Sequence, residues 1–247
     1  MKETITTVLT YVAVAIFIFG LIYRWFIWLK TPVPLRIPTT PAPKTTAGIL
    51  GVLFNEIVFF RSLLRSDLLL WLMSWLFHIS IAVTLVGHFF RILQVDLGLM
   101  TFPTYIINPE SDVMITFYTI SVYAGLFVFP VTGLYLLLRR LVNERVRYIS
   151  ILSDYFAILL ILLIVITGIT VYVANHTTFV QLPGGTGLIE DIHYFAVLFL
   201  AAYFPFSKLV HAGSVLVSPT KNQTNTPREK RHINPWNGAV YVDDKVF

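Results

Sequence analysis

Cysteine is missing altogether from the 247 residues. Without thiolates the chain cannot ligate an iron–sulfur cluster in the usual way, cannot attach a haem through Cys-x-x-Cys-His, and forms no disulfide. Charge is scarce as well: Asp, Glu, Lys and Arg make up 13% of the sequence against 56% hydrophobic residues. With a mean hydropathy of +0.76, that balance excludes an ordinary soluble domain. There is no Walker A sequence, no His-Glu-x-x-His and no clear internal repeat of the kind that marks transporters with inverted halves. Pump and carrier readings lose support accordingly.

What the chain does have is long apolar runs. Five of them, at about residues 5–28, 68–93, 113–138, 149–173 and 192–217, are each able to cross roughly 30 Å of hydrocarbon at about 1.5 Å per residue. The expected fold class is all-α, an integral membrane bundle of five transmembrane helices. Lys2 precedes the first run, but the run is too long for a signal peptide and no small-residue cleavage site follows it, so it is read as a retained helix.

The basic residues fall unevenly between the connections. Arg24, Lys30, Arg36, Lys44, Arg61 and Arg65 surround the first, Arg139, Arg140, Arg145 and Arg147 the third, and Lys208, Lys221, Arg228, Lys230, Arg231 and Lys245 the C-terminal end. Only Lys2 and Arg91 lie on the other side. Because cytoplasmic loops collect Lys and Arg, this bias predicts an outward N-terminus and a cytoplasmic C-terminus in a multi-pass cell-membrane protein. The net charge of +5 is then topology. A nucleic-acid binder would instead gather its basic residues on one solvated module.

Between the first two runs, the Pro/Thr-rich stretch 31–43 stays extended. From 46 to 65, Ile49, Val52, Leu53, Ile57 and Phe60 recur at helical spacing, which predicts a short helix lying along the interface. The tail from Ser218, with Pro219, Pro227 and Pro235, reads as a docking arm with Trp236 as an interface anchor. The expected organisation is a first transmembrane helix at 1–29, a linker with an interfacial helix at 30–66, a four-helix core at 67–217 and a cytoplasmic tail at 218–247.

Four histidines lie inside the apolar runs: His78 and His88, ten residues apart in the second, and His193 and His211, eighteen apart in the fifth. An imidazole in lipid is costly and usually functional. One alone can serve only as a hydrogen-bonding group between helices, but four in two pairs suit the axial ligands of two haems, necessarily of b type here. The topology matches their depths, His78 with His211 toward the cytoplasm and His88 with His193 toward the outside. The fit is imperfect. Ten residues rise about 15 Å and eighteen about 27 Å, and at about 100° per residue the first pair is rotated by roughly 80° while the second is aligned. Tilted haems and a kink at Pro205 would absorb the difference. His176 and His232, in an outer loop and in the tail, are assigned solvated roles.

The segment Trp75-Leu76-Phe77-His78-Ile79-Ser80-Ile81-Ala82-Val83-Thr84-Leu85-Val86-Gly87-His88-Phe89-Phe90 resembles the second helix of the respiratory nitrate reductase gamma subunit family, dihaem cytochromes b that anchor their enzyme to the membrane. Leu138-Arg139-Arg140-Leu141 with Arg145-Val146-Arg147 looks like that family's loop between helices three and four. Ile192-His193 and Phe204-Pro205-Phe206-Ser207-Lys208-Leu209-Val210-His211 look like its fifth helix. By implication His78 and His211 ligate the proximal, cytoplasmic haem, and His88 and His193 the distal, outer one. The nitrate reductases carry a lysine near the quinol site in the loop after helix two; residues 94–112 contain none. The longer insertion before helix two and the tail sequence Arg231-His232-Ile233-Asn234-Pro235-Trp236-Asn237 resemble instead the cytochrome b subunit of the sulfite-reduction-associated Dsr complex and related heterodisulfide-reductase-like menaquinol-oxidising complexes.

The resemblance implies that menaquinol is oxidised near the distal haem, its protons leaving outward. Electrons then cross to a cytoplasmic iron–sulfur subunit, alongside other membrane and extracytoplasmic redox subunits, in dissimilatory sulfur or sulfite metabolism. Alternatives are a dihaem conduit without its own quinone site, a nitrate reductase gamma subunit, and a haem-free scaffold or transporter. Gly87 would allow close approach of a ring or haem face, or else packs helices. Arg91, a turn beyond His88, is a candidate partner for a propionate or quinone oxygen, or else snorkels to the interface. Lys208, Arg139 and Arg140 would neutralise proximal propionates or serve topology alone. Asp96, Glu110, Asp112, Glu190 and Asp191 are read as solvated loop charges on the outer side.

Overall fold

The computed structural model describes residues 2–31, 42–95, 112–176, 185–214 and 216. Most of the Pro/Thr stretch, the loop at 96–111 and the tail with Trp236 and His232 lie outside the described residues.

All regular structure among the described residues is helical. The elements are α1 (Lys2–Lys30), α2 (Thr46–Phe59), α3 (Arg61–Ser66), α4 (Leu68–Val95), α5 (Asp112–Tyr123), a π-helical turn (Ala124–Val128), α6 (Phe129–Val142), α7 (Glu144–Ile149), α8 (Leu152–His176), α9 (Gly187–Tyr203) and, after two 3₁₀ turns, α10 (His211–Ser214). Five segments have the length and composition to span a membrane: Thr4–Lys30, Leu68–Phe89, Thr119–Val142, Leu152–His176 and Gly187–Phe206. Large apolar side chains point outward, with Phe19 69%, Leu85 64% and Val131 61% exposed, while Ser80 at 1% and Thr132 at 2% are buried. That inversion of the soluble pattern belongs to a multi-pass membrane protein, whose helices pack through small and hydroxylated residues.

Helix neighbours follow an open arc. α1 packs on α9, α9 on α8, α8 on α6, and α6 with its π turn on α4. Phe77, Phe129 and Val165 form the buried centre where α4, α6 and α8 meet. Among the described residues α4 shares no extensive interface with α1 or α9. His78 and His88 thus sit on a helix that packs apart from α9, which carries His193, while His211 lies beyond the end of the fifth span.

Three breaks depart from uninterrupted helices. Pro130 has no N–H and its ring would crowd the preceding turn, so the chain widens beforehand and Phe129 N–H bonds to Ala124 O, five residues back. The fifth span ends at Phe204-Pro205-Phe206, and Ser207 is extended at φ −104°, ψ 173°. The expected single helix at 192–217 is thus broken, because Leu209 N–H turns to Ser207 Oγ (3.1 Å) and leaves Pro205 O to accept from Arg24 Nε of α1 (2.8 Å). The interfacial segment likewise splits in two. Phe60 adopts the left-handed conformation, φ 48°, ψ 46°, at a position that normally takes glycine. A bulky residue there stores about 1–3 kcal/mol. The elbow is held by indole N–H donors, Trp71 to Phe59 O (2.7 Å) and Trp75 to Val58 O (2.8 Å), and by Ser62 Oγ donating to Glu56 (2.5 Å).

On the face where α1, α6 and α9 end and α4 and α8 begin, Asp154 is the one acid in the fourth run, with its side chain 8% exposed. Lys208 Nζ reaches its carboxylate at 2.8 Å and Arg140 at 3.8 Å. Lys208 and Arg140 are therefore engaged by protein, and Arg139 pairs with Asp67 at 3.9 Å. The clasp ties the broken end of the fifth span to α8. Lys208→Met is expected to cost about 2 kcal/mol, the worth of a charged hydrogen bond to a buried carboxylate, read as a lower melting temperature of the detergent-solubilised protein. Adding Asp154→Asn should recover part of the loss.

Candidate functional site

His78 lies on α4, where its Nδ1–H donates to Ser74 O one turn back (2.7 Å). His211 opens α10 beyond the break and donates from Nδ1 to Lys208 O (3.0 Å). The two rings face each other with centroids 5.9 Å apart and planes at 89°. Two imidazoles bonded to opposite sides of one metal, at about 2 Å per metal–nitrogen bond, place their centres roughly 6 Å apart. Phe60 (5.0 Å) and Phe77 (5.6 Å) also meet the His78 ring edge to face.

Nearer the other face, His88 Nδ1–H donates to Thr84 O (2.8 Å). His193, on α9, reaches across to α8, where Nδ1–H is shared between Ile164 O (3.0 Å) and Thr167 Oγ1 (3.1 Å). The Thr167 hydroxyl itself donates to Leu163 O (2.8 Å), so its oxygen is free to accept. A Cβ on Gly168 would stand 3.0 Å from His193 Cε1; the missing side chain leaves room for the imidazole.

In all four histidines a carbonyl occupies Nδ1 and leaves Nε2 with its lone pair, the arrangement that outer-shell hydrogen bonds impose on metal-bound imidazole. The lock alone does not define a site. His176 makes the same bond to Tyr172 O (2.9 Å) and stacks on Tyr172. For His78 and His211 the difference is that each ring opposes the other. Among the described residues no three His, Cys, Asp or Glu side chains gather as a metal cluster. A closed protein-only site takes about four donors, so the opposed rings of His78 and His211 suit a metal that brings its own equatorial ligands, as haem does.

Gly87 packs against the third span, where an added Cβ would meet Ser121 Oγ at 2.8 Å. Its observed role is close helix packing. The side chain of Arg91 lies outside the described residues. Thr167, Asp154 and Phe60 were not singled out by the sequence as site residues. Only Asp154 carried a usable signal, as a lone ionisable group inside an apolar run.

The nitrate reductase gamma subunit family model matches residues 61–183. The Hdr-like menaquinol oxidoreductase cytochrome b-like subunit of Archaeoglobus fulgidus is 32% identical over 289 aligned positions, covering 94% of this chain and 83% of the relative. Its counterpart in Archaeoglobus profundus is 27% identical over 287 positions, covering 92% and 81%. The chain belongs to this cytochrome b-like family. The family model includes His78 and His88 but stops before α9, so it does not reach the opposing limb with His193 and His211. For this family member, Gly168→Leu is expected to push His193 off Ile164 O and Thr167 and to lower b-type absorbance per protein, measured as pyridine haemochrome. Gly168→Ala should retain most of it.

Proposed function

We propose that this chain is the membrane-embedded dihaem cytochrome b of a quinol-oxidising complex, with His78 and His211 holding one haem b and His88 and His193 the other. The supporting observations are the 5.9 Å approach of the His78 and His211 rings and the carbonyl held by Nδ1 of each of the four histidines. Bound there, haem supplies reversible one-electron storage, and a quinol that becomes quinone releases two electrons and two protons. The chain contributes position. Ser74, Thr84, Ile164 and Lys208 carbonyls fix each imidazole's tautomer, the two limbs set the spacing, and the outward apolar faces keep the wire inside lipid.

The substrate is proposed to be menaquinol because both relatives are named as subunits of menaquinol oxidoreductases. Its protons leave on the side of Glu190 and Asp191. The basic face, with Arg61, Arg65, Arg139, Arg145 and Arg147, is proposed to be cytoplasmic and to meet a heterodisulfide-reductase-like iron–sulfur subunit, beside other membrane and extracytoplasmic redox subunits in the cell membrane. The tail sequence points the complex toward dissimilatory sulfur or sulfite metabolism.

Pyridine-haemochrome quantification on purified protein tests the ligand set. About two haems b are expected in wild type, falling to about one in His78→Ala, His88→Ala, His193→Ala and His211→Ala separately. Folded wild type without haem overturns the reading. A quinol-site inhibitor should shift the spectrum of one haem; no shift would favour a conduit without its own quinone site. Orientation is checked with a single cysteine in this naturally cysteine-free chain. Tyr148→Cys, on α7 at a residue 92% exposed, should resist an impermeant maleimide in intact cells and react after permeabilisation.

A further inference from the structure

The left-handed elbow at Phe60 sits where glycine would cost nothing, yet a phenylalanine occupies it and neighbouring groups hold it there. Asn55 O accepts from the Phe60 N–H. Trp71 and Trp75, both on α4, bond the two carbonyls before it, and Leu63 and Leu64 N–H donate to Phe60 O (2.8 and 3.0 Å). Strain of this kind persists only when the surroundings over-determine it, and it tends to mark function. A turn requirement does not explain the ring, since a turn would be satisfied better without a side chain.

The ring's contact supplies the explanation. Its centroid lies 5.0 Å from that of His78 with the planes at 90°, nearer than Phe77 at 5.6 Å or His211 at 5.9 Å. The Ser74 carbonyl fixes the His78 tautomer but restrains rotation about the Cβ–Cγ bond only through one hydrogen bond. An aromatic ring packed edge to face adds a second restraint on the imidazole plane and excludes water beside it. The plane of an axial ligand and the polarity around it are levers by which protein sets a haem potential.

We propose that Phe60 is a positioning residue for His78, its ring carried by the α2–α3 elbow to fix the imidazole plane and exclude water beside it. This rests on the reading of His78 as a haem ligand. It also makes the interfacial helix part of the redox site: α4 grips the elbow through Trp71 and Trp75, and the elbow in turn braces the histidine three residues beyond Trp75.

The test uses the full chain in detergent, comparing Phe60→Gly, Phe60→Leu and Phe60→Tyr with wild type and His78→Ala by redox titration and low-spin EPR. Phe60→Gly relieves the strain, so its melting temperature should equal or exceed that of wild type. It should nevertheless shift the potential and the low-spin signal of one haem, the one that His78→Ala removes. Phe60→Leu, which keeps an apolar side chain but no aromatic edge, should shift the same haem, and Phe60→Tyr should restore wild-type signals. Unchanged potential and EPR in both Phe60→Gly and Phe60→Leu would overturn the proposal while leaving the haem assignment intact. Should His78→Ala retain both haems, the ligand assignment itself falls.

Discussion

In hydrocarbon no water is at hand to satisfy a polar group, so every N–H and carbonyl must find a partner within the protein. That constraint governs this molecule at its histidines. Each of the four imidazoles spends its Nδ1–H on a carbonyl: His78 and His88 on their own helix one turn back, His193 on the neighbouring α8, and His211, just past the fifth span, on Lys208 in the turn before it. The protonated nitrogen is thereby committed and Nε2 is left with its lone pair. What satisfies the demand for a partner also fixes each tautomer.

The same demand explains what happens where helices break. At two of the breaks, the carbonyls set free are taken by groups that also fix geometry. Arg24 accepts the task at Pro205 and docks α1 on the kink. Trp71 and Trp75 take the carbonyls before Phe60 and bind the interfacial helix to α4. At the π turn, Thr132 Oγ1 donates to Val128 O at 2.8 Å. The Asp154 clasp then holds the segment beyond Ser207, so His211 reaches its position on a tethered turn that is not a continuation of α9. Breaks that a soluble protein would leave to solvent become joints between elements.

Legibility differed by kind of feature. The five spans were readable because length and apolarity are properties of contiguous sequence, and the bilayer thickness supplies the ruler. The histidines stood out because ionisable groups are rare in such runs. Their pairing by depth followed from alternating topology, and the 5.9 Å approach of His78 and His211 is a geometry that the rotational mismatch of an ideal helix would not have produced. The break at Ser207 supplies the difference. The interfacial helix was legible as apolar periodicity, but not its division at Phe60, because no propensity favours a phenylalanine with positive φ. Lys208 and Arg140 read as propionate partners or topology charges, since nothing in their own stretches of sequence announces that Asp154 lies between them.

Amino-acid sequence alone determined the membrane class, the number of spans, the absence of thiolate chemistry and the identity of the intramembrane histidines. These follow from composition and one-dimensional pattern, which the solvent reads residue by residue. Only the tertiary structure decided which nitrogen each histidine keeps free, that α4 and α9 share no extensive interface, that Phe60 packs on His78, that Thr167 bonds His193 and that Asp154 tethers Lys208. Hydrogen bonds and ring contacts join residues far apart in the chain, and the breaks at Phe60, Pro130 and Pro205 set the directions along which those residues meet.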